Sequence, residues 1–504
     1  MTTTVTTPAD SQDPLDDYDP GVPANAPREG AAPEEGPLDP MASCYLADRW
    51  GYSDVTNAER FIEDHGDNLR FIASWDRWLM WNETRWVEDE LNGSLTLAIA
   101  TARKTVADAE NLVAESEDGK AAGRALAAAK TLLQVTRMRN MITAATAMGV
   151  SLTPHELNSH PMMLNVSNGT IDLTTGLLHP HRREDLITNL SDITFDPDAS
   201  CPTWDAFLDF VTCGDKELAL YLQLAVGYSL TGLIRDHVLF FLYGNGNNGK
   251  STFLTVLLNL LGDAGIQAEE NLLMARQSEA HPTGQADLFG RRVAVTTEVD
   301  EGRRLSEGLV KQLTGGDRVR ARRMREDFFE FDPTHKLWMS GNHLPIIRGN
   351  DLGVWRRVKL IPFNAKLAPG EADTELGGKL AAEMSGILAW AVRGCLSWQA
   401  NGLGTCAAVE AGTKGYKSSM DALGLFIEEC VTDALDGFTP SIDMYRAYQA
   451  WAKASGEFVM SRRALGNRLK DRGWESAKRG ANGNLAWLGR SLHPDALPFD
   501  GRPF

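Results

Sequence analysis

Four short, mostly apolar runs punctuate the middle of the chain, at 238–243, 293–296, 337–339 and 358–361. None alternates with polar residues, so each reads as a strand covered on both faces, as in a parallel sheet. Around them apolar residues recur at helical spacing, over 202–233, 252–261 and from 378 to about 435. Upstream, 95–148 is alanine-rich and helical with a break near Glu117, Asp118 and Gly119. The stretch 164–178 alternates around two turn signals, Asn168-Gly169 and Thr174-Thr175-Gly176, which predicts strands joined by hairpins. Residues 71–87 are dense in tryptophan, with Asn82, Glu83 and Thr84 as a turn between two short strands. There Arg77 and Arg85 beside the rings suit base stacking, but Trp75, Trp78, Trp81 and Trp86 read more simply as a small β core. Residues 440–492 run as a helix carrying Met444, Tyr445, Tyr448 and Trp451, a basic helix at 461–470, then a hairpin around 480–484. Helix, basic helix and hairpin is the order of a winged-helix module, in which Arg462, Arg463 and Arg468, with Lys470, Lys478 and Arg479, would meet DNA phosphates.

Composition narrows this picture. With 504 residues, 43% hydrophobic and 23% charged, the chain has room for several cores. The net charge of −18 argues against a protein that coats nucleic acid, but the charge is uneven. Residues 1–40 hold nine acids against the single Arg28, and eight prolines, which predicts a disordered acidic leader. Between 303 and 325 the balance reverses, with eight Lys/Arg and only two acids. Six scattered cysteines exclude a zinc-ribbon module and read as reduced thiols. His179 and His181 lack a third ligand nearby and read as surface residues. No signal segment and no run of 18 apolar residues is present, so the expectation is a cytoplasmic protein without membrane contact.

The chemistry begins where the first apolar run ends. Gly244, Asn245, Gly246, Asn247, Asn248, Gly249, Lys250 and Ser251 fit the G-x-x-x-x-G-K-[ST] phosphate loop, and Thr252 opens an apolar helix. Small residues let backbone N–H groups turn inward around phosphates, and the helix N-terminus adds partial positive charge. Lys250 should reach the β- and γ-phosphates of ATP, with the Ser251 hydroxyl on Mg²⁺. The second run ends in a carboxylate, Glu298, with Asp300 and Glu301 as weaker candidates for the Mg²⁺ water shell and water activation. The third ends at Asn342, a polar amide suited to orienting water or sensing the γ-phosphate. Arg356 and Arg357 open the fourth; one is a candidate arginine finger, against the plainer reading of a salt bridge at a strand edge. Lys311 and the alternating Arg318, Arg320 and Arg322, followed by Arg323 and Arg325 and then by aromatics, predict a β-hairpin projecting arginines toward a nucleic-acid strand.

Taken together, these motifs resemble the phage and plasmid primase-helicase family, whose motor is a superfamily-3 helicase of the AAA+ type, related to the poxvirus primase-helicase. The resemblance rests on 244–252, on Val293 to Glu298 with Glu301-Gly302-Arg303, and on Lys311 to Asp317. Thr334 to Trp338 with Asn342-His343-Leu344-Pro345, and Trp355-Arg356-Arg357 ahead of Ile361-Pro362-Phe363, complete the motor. Residues 164–173 with Cys201-Pro202-Thr203-Trp204 look like the family's region just upstream. The resemblance covers about 160–365 well. It implies an α/β, AAA+-like P-loop NTPase core with a parallel sheet, preceded by a mixed α/β domain and followed by a winged-helix-like one. The expected divisions are a leader at 1–40, an N-terminal domain at 41–200, a helicase ATPase domain at 201–385, a helical connector at 386–435 and a DNA-binding domain at 436–504. It implies a homohexameric ring on single-stranded or forked DNA, with Mg-ATP between subunits, Arg356 or Arg357 reaching a neighbour's ATP, and the 318–325 arginines toward the channel. Because the N-terminal region lacks cysteine ligands and a carboxylate cluster for two-metal polymerisation, primer synthesis is expected to belong to a separate subunit. The setting implied is the bacterial host cytoplasm, if the chain is phage- or plasmid-encoded. The leading expectation is thus a replicative DNA helicase. An origin-binding initiator or loader that uses ATP only to assemble is the second reading, and a small-molecule kinase, which leaves the basic hairpin idle, the third.

Overall fold

The computed structural model describes residues 53–275, 283–297, 302–322, 327–347, 352–367, 370, 373–456, 459–479 and 483–494. The expected leader at 1–40 lies outside them. In the first unit, helix α1 (Asp54–His65) is followed by strands β1 (Leu69–Ile72), β2 (Arg77–Trp81) and β3 (Trp86–Glu88). Helices α2 (Gly93–Glu115), α3 (Gly119–Thr131) and α4 (Val135–Ala145) and strand β4 (Ser151–Leu152) complete it. Its sheet has the order β3-β2-β1-β4. Phe61, Leu69, Ala98, Ala102, Met138 and Met141 form one core, and Trp86 is buried against Ile72, Leu79 and Leu157. The arginines beside these tryptophans are engaged: Arg77 pairs with Glu88 at 3.1 Å, and Arg85 with Asp263 far along the chain.

A small antiparallel sheet follows, β5 (Met163–Val166), β6 (Gly169–Asp172) and β7 (Leu177–His179), as the two turn signals require. His181, expected at the surface, is half-buried instead, its Nδ1 2.8 Å from Asn165 Oδ1. The sheet pins it because Asn165 sits on β5 and accepts from Thr170 on β6 as well.

Helices α5 (Pro202–Val211) and α6 (Lys216–Ser229) lead into β8 (Leu239–Tyr243), α7 (Lys250–Leu261), β9 (Gly265–Gln267), α8 (Thr283–Ala286) and β10 (Val293–Thr296). Then come α9 (Glu307–Gly315), β11 (Val319–Arg322), β12 (Phe328–Phe331), β13 (Lys336–Gly341), α10 (Leu352–Trp355) and β14 (Val358–Pro362). Strands β14-β8-β13-β10-β9 form one sheet in that order, with every pair parallel. Burial on both faces explains the mostly apolar runs. Phe240, Leu242, Val293, Val295, Trp338 and Ile361 face the core shared with α6, α7 and the later helix Met384–Asn401, while Leu239, Phe241, Ala294, Leu337, Met339 and Val358 face the second. The first core also takes in Leu164, Val166, Ile171, Leu173 and Phe195, so the small β5–β7 sheet is packed with this sheet rather than with the first unit.

Two buried basic side chains fasten this junction. Arg292 donates to the carbonyls of Leu230 and Met163. Lys336 donates to Thr231 and, at 3.1 Å, to Thr334. Leu230 and Thr231 follow the last turn of α6, whose unpaired carbonyls attract positive charge. Burial lowers the pKa of both groups, Lys336 well below the ordinary lysine range. His335 beside them is held neutral, its pKa pushed down to about 3 by burial and then by Lys336.

After β14 the chain is helical through α11 (Leu376–Ala382), α12 (Met384–Asn401), α13 (Ala407–Ser419) and α14 (Ala422–Cys430). The helical run expected to about 435 stops at Cys430, where β15 (Val431–Pro440) begins. β15 pairs with β17 (Asn484–Leu492), which pairs with β16 (Ser476–Arg479). Helices α15 (Ser441–Ala454) and α16 (Arg462–Asp471) lie between. Leu423, Phe426 and Cys430 of α14 share a core with Met444, Tyr448, Leu465 and Trp487. Residues 422–435, expected in the connector, thus pack with the C-terminal unit, because β15 needs the β17 edge and α14 buries its apolar face there.

Candidate functional site

The loop between β8 and α7 opens at the carboxyl end of the sheet, where Tyr243 of β8 and Gly341 of β13 are register partners. Adjacent strands therefore deliver Lys250 and Asn342 to one point, the usual place for ligands in open parallel sheets. The Lys250 amine donates to Gly244 O at 2.6 Å, to Asn248 Oδ1 at 3.0 Å and to Asn342 Oδ1 at 3.0 Å. Lys250 is only 7% exposed, and burial lowers its pKa. Asn248 is itself held by donating to Phe363 O at 2.7 Å, which ties the loop to the end of β14. Gly244 cannot be replaced cheaply, since a Cβ there would lie 2.1 Å from that same oxygen. Gly249, with φ +86, turns the chain into α7 in a conformation that glycine tolerates best.

A cavity of about 1060 Å³ opens above this loop, lined by 246–252, Thr297, Asn342 and His343, and by α5. Of the expected site residues, the structure brings together the loop, Lys250, Ser251, Thr252 and Asn342. Glu298, Asp300 and Glu301 lie outside the described residues, although Thr297 just before them lines the cavity. Among the described residues no group of three or more His, Cys, Asp or Glu is placed to hold a metal. The exposed Ser251 hydroxyl is the described group whose chemistry fits a cation bridging phosphates.

Arg357 departs from its expected role. It is 8% exposed, donating through Nε to Thr314 Oγ1 at 3.0 Å and through Nη1 to Gly353 O at 2.7 Å. Burial, and then the neighbouring Arg356, lower its pKa. A guanidinium so engaged inside its own chain is a strut between α9 and α10, not a group that reaches a neighbour. Arg356, one residue earlier, is exposed.

The basic stretch forms a hairpin, with Val319 opposite Phe331 and Arg322 opposite Phe328. Val319, Ala321 and Phe331 face inward. Arg320 and Arg322 project from the other face, their guanidinium carbons 4.5 and 5.2 Å from the centre of the Phe328 ring. Arg318 pairs with Asp332 at 3.2 Å in an exposed setting. Arg323 and Arg325 lie outside the described residues. Lys311 is on α9. Arg462, Arg463 and Arg468 lie on α16, more than 100 residues along the chain in a separate core, and the first two are exposed. Sequence reading missed the aromatic face of α5 on the cavity; its signal was Phe207 and Phe210 at i and i+3.

The family description "D5 N terminal like" matches residues 58–213, "Family of unknown function (DUF5906)" matches 242–357 and "Poxvirus D5 protein-like" matches 418–486. Two of these descriptions, over 58–213 and 418–486, are of the D5 type, and each covers less than half of the chain. Relatives of the chain include a "Putative helicase" of Acanthamoeba polyphaga mimivirus, 30% identical over 42% of this chain and 22% of that protein. A "Putative helicase" of Invertebrate iridescent virus 3 is 24% identical over 58% of this chain and 35% of that one. A "Putative primase" of African swine fever virus is 22% identical over 59% of this chain and 34% of that one. The chain thus spans between a fifth and about a third of the length of these relatives. The structure overlays on the C-terminal region of NrS-1 with a TM-score of 0.47 at 11% identity, covering 84% of this chain and 96% of that one, a likeness too loose to argue from. No helix among the described residues is long and apolar enough to cross a membrane.

Proposed function

We propose that this chain is an ATP-dependent replicative DNA helicase, which hydrolyses ATP to move along single-stranded DNA and open duplex. The observation that carries the reading is the Lys250 amine, set at the carboxyl ends of two adjacent strands beside a cavity of about 1060 Å³ and bonded to three oxygens. Those oxygens occupy donor directions that phosphate oxygens would take over, and a desolvated ammonium in a low-dielectric pocket binds such anions strongly. Backbone N–H groups at the start of α7 supply further donors. Ser251 would hold Mg²⁺, which when bound neutralises charge on the phosphates. Asn342 is placed to exchange its bond to Lys250 for one to the γ-phosphate or to the attacking water. Such an exchange would couple the nucleotide state to β13 and, through its connection, to the basic hairpin.

In this proposal the working form is a ring, taken as a homohexamer, in which exposed Arg356 completes a neighbour's site. Arg320 and Arg322 bind the DNA phosphates, and α16 contributes Arg462, Arg463 and Arg468. The relatives' printed names, helicases and a primase of large DNA viruses, support a place in DNA replication. None of those named comes from a phage or plasmid, so that setting rests on the motif resemblance alone. Primer synthesis is assigned to a separate subunit.

The test is ATP hydrolysis with and without single-stranded DNA, on wild type and Lys250→Ala, with fork opening followed in the same preparations. Wild type should show DNA-stimulated hydrolysis and open forks, and Lys250→Ala should lose both, by about a hundredfold or more. ATP binding without fork opening under any loading condition would sink the motor and leave the initiator or loader.

A further inference from the structure

The cavity is larger than a chain of phosphates requires, and one of its walls has the wrong chemistry for them. That wall is one face of α5, bearing Thr203, Ala206, Phe207 and Phe210. The positions are spaced i, i+3, i+4 and i+7, a single stripe along a helix. Its rotation is fixed by the adjoining stripe, since Trp204, Leu208 and Val211 are buried in the core. Its first turn is fixed too: the Glu383 carboxylate accepts from the N–H groups of Thr203 and Trp204 at 3.0 and 3.1 Å. Phe207 stacks on Trp204 with ring centres 5.3 Å apart, and Trp204 on Phe253 of α7 at 5.6 Å. A Cβ at Gly249 would come within 3.0 Å of the Phe207 ring, so α5 is seated directly against the loop. Phe210, one turn on, is half-buried and lines the open space.

Leu367 and Leu376 also line the cavity. Asp373 near them is already engaged, accepting from Lys379 Nζ at 2.6 Å and from the Glu375 N–H at 2.9 Å. An apolar slot with an aromatic wall offers little to phosphate, whereas it suits a flat, weakly polar ring. We infer that the α5 stripe, together with Leu367 and Leu376, is the subsite for the base of a nucleoside triphosphate, with the ring stacked against Phe210 and the Thr203 hydroxyl as its polar neighbour. This rests on the nucleotide reading of the Lys250 loop and assigns the part of the cavity that the loop does not explain. Affinity is then divided in space: Lys250 and the loop hold the phosphates, and α5 holds the base.

Calorimetry with two ligands separates these halves, Mg-ATP and magnesium-bound inorganic triphosphate, which has the phosphates without the base. Phe210→Ala should weaken ATP about tenfold or more, the scale of losing one aromatic stacking partner, and leave inorganic triphosphate within about twofold. Ala206→Trp, a surface substitution on the same stripe, should fill the slot and give the same split if Phe210→Ala proves unstable. Equal weakening of both ligands, or unchanged ATP affinity in both variants, overturns the base subsite while leaving the phosphate loop standing. Wild type that binds neither ligand overturns the nucleotide reading itself, and the subsite with it.

Discussion

Arg356 and Arg357 are neighbours in the chain and opposites in the fold. One faces solvent; the other bonds Thr314 and Gly353 from within the second core. Arg357→Ala should therefore cost about 1–3 kcal/mol of stability, the scale of stranding buried hydrogen-bond partners, measurable by denaturant unfolding. Arg356→Ala should leave unfolding within about 0.5 kcal/mol of wild type and yet stop ATP hydrolysis. Mixing it with Lys250→Ala should recover part of that hydrolysis, because some sites in mixed rings would pair an intact Lys250 with a neighbour's intact Arg356. No recovery would remove Arg356 from the neighbour's site. At this scale the sequence was informative about chemistry and poor about burial. The spacing of the 244–251 loop pointed to Lys250 because a glycine-rich turn between a buried strand and a helix constrains one geometry. Nothing in Arg356-Arg357, or in His335-Lys336, shows which side chain is turned inward, since that is decided by partners such as Thr314 and Leu230 that lie far away in the chain.

At the level of elements, the basic hairpin combines two kinds of contact on one face. Arg320 and Arg322 offer charge, and Phe328 under them offers a ring left 48% exposed. Replacing both arginines by alanine should weaken single-stranded DNA binding and reduce the slope of log affinity against log salt by about 1.4, two phosphate contacts at roughly 0.7 each. Titration at several salt concentrations reads this directly; an unchanged slope would show that the hairpin does not touch phosphates. The hairpin was legible because its charge and apolar positions alternate at the strand period. So were four of the five parallel strands, each announced by a short, mostly apolar run. The fifth, β9, was not: Gly265-Ile266-Gln267 is three residues long and, among the described residues, pairs only with β10, so it carries no pattern of its own. The start of β15 was missed for a related reason, because its register is set by β17, some fifty residues later.

The whole molecule is fastened across what looked in sequence like a boundary. The β5–β7 sheet buries Leu164, Val166, Ile171 and Leu173 in the same core as Trp204 and Phe253, and Arg292 reaches back to Met163 O. Farther up, Arg85 pairs with Asp263, Asn189 donates to Gly290 O at 2.9 Å, and Trp75 packs edge-on against Phe289 with centres 5.9 Å apart. Phe289 in turn meets Phe329 and Phe331 of the hairpin at 5.8 and 5.5 Å. A chain shortened to begin at residue 201 should be insoluble or molten, judged by loss of near-ultraviolet circular dichroism, whereas one beginning at about 154 should fold cooperatively. If both fold equally well, the shared core contributes less than its burial implies. The same join bears on how such a protein could be recombined. A crossover that brought in a foreign motor at residue 201 would tear one hydrophobic interior in two, while a crossover ahead of β5 would leave that interior whole and cut the smaller seam where Trp86 meets Arg183 O and Ile187 O. Lineages that trade upstream modules would then be expected to carry the β5–β7 sheet along with the motor, as inherited baggage of the downstream half.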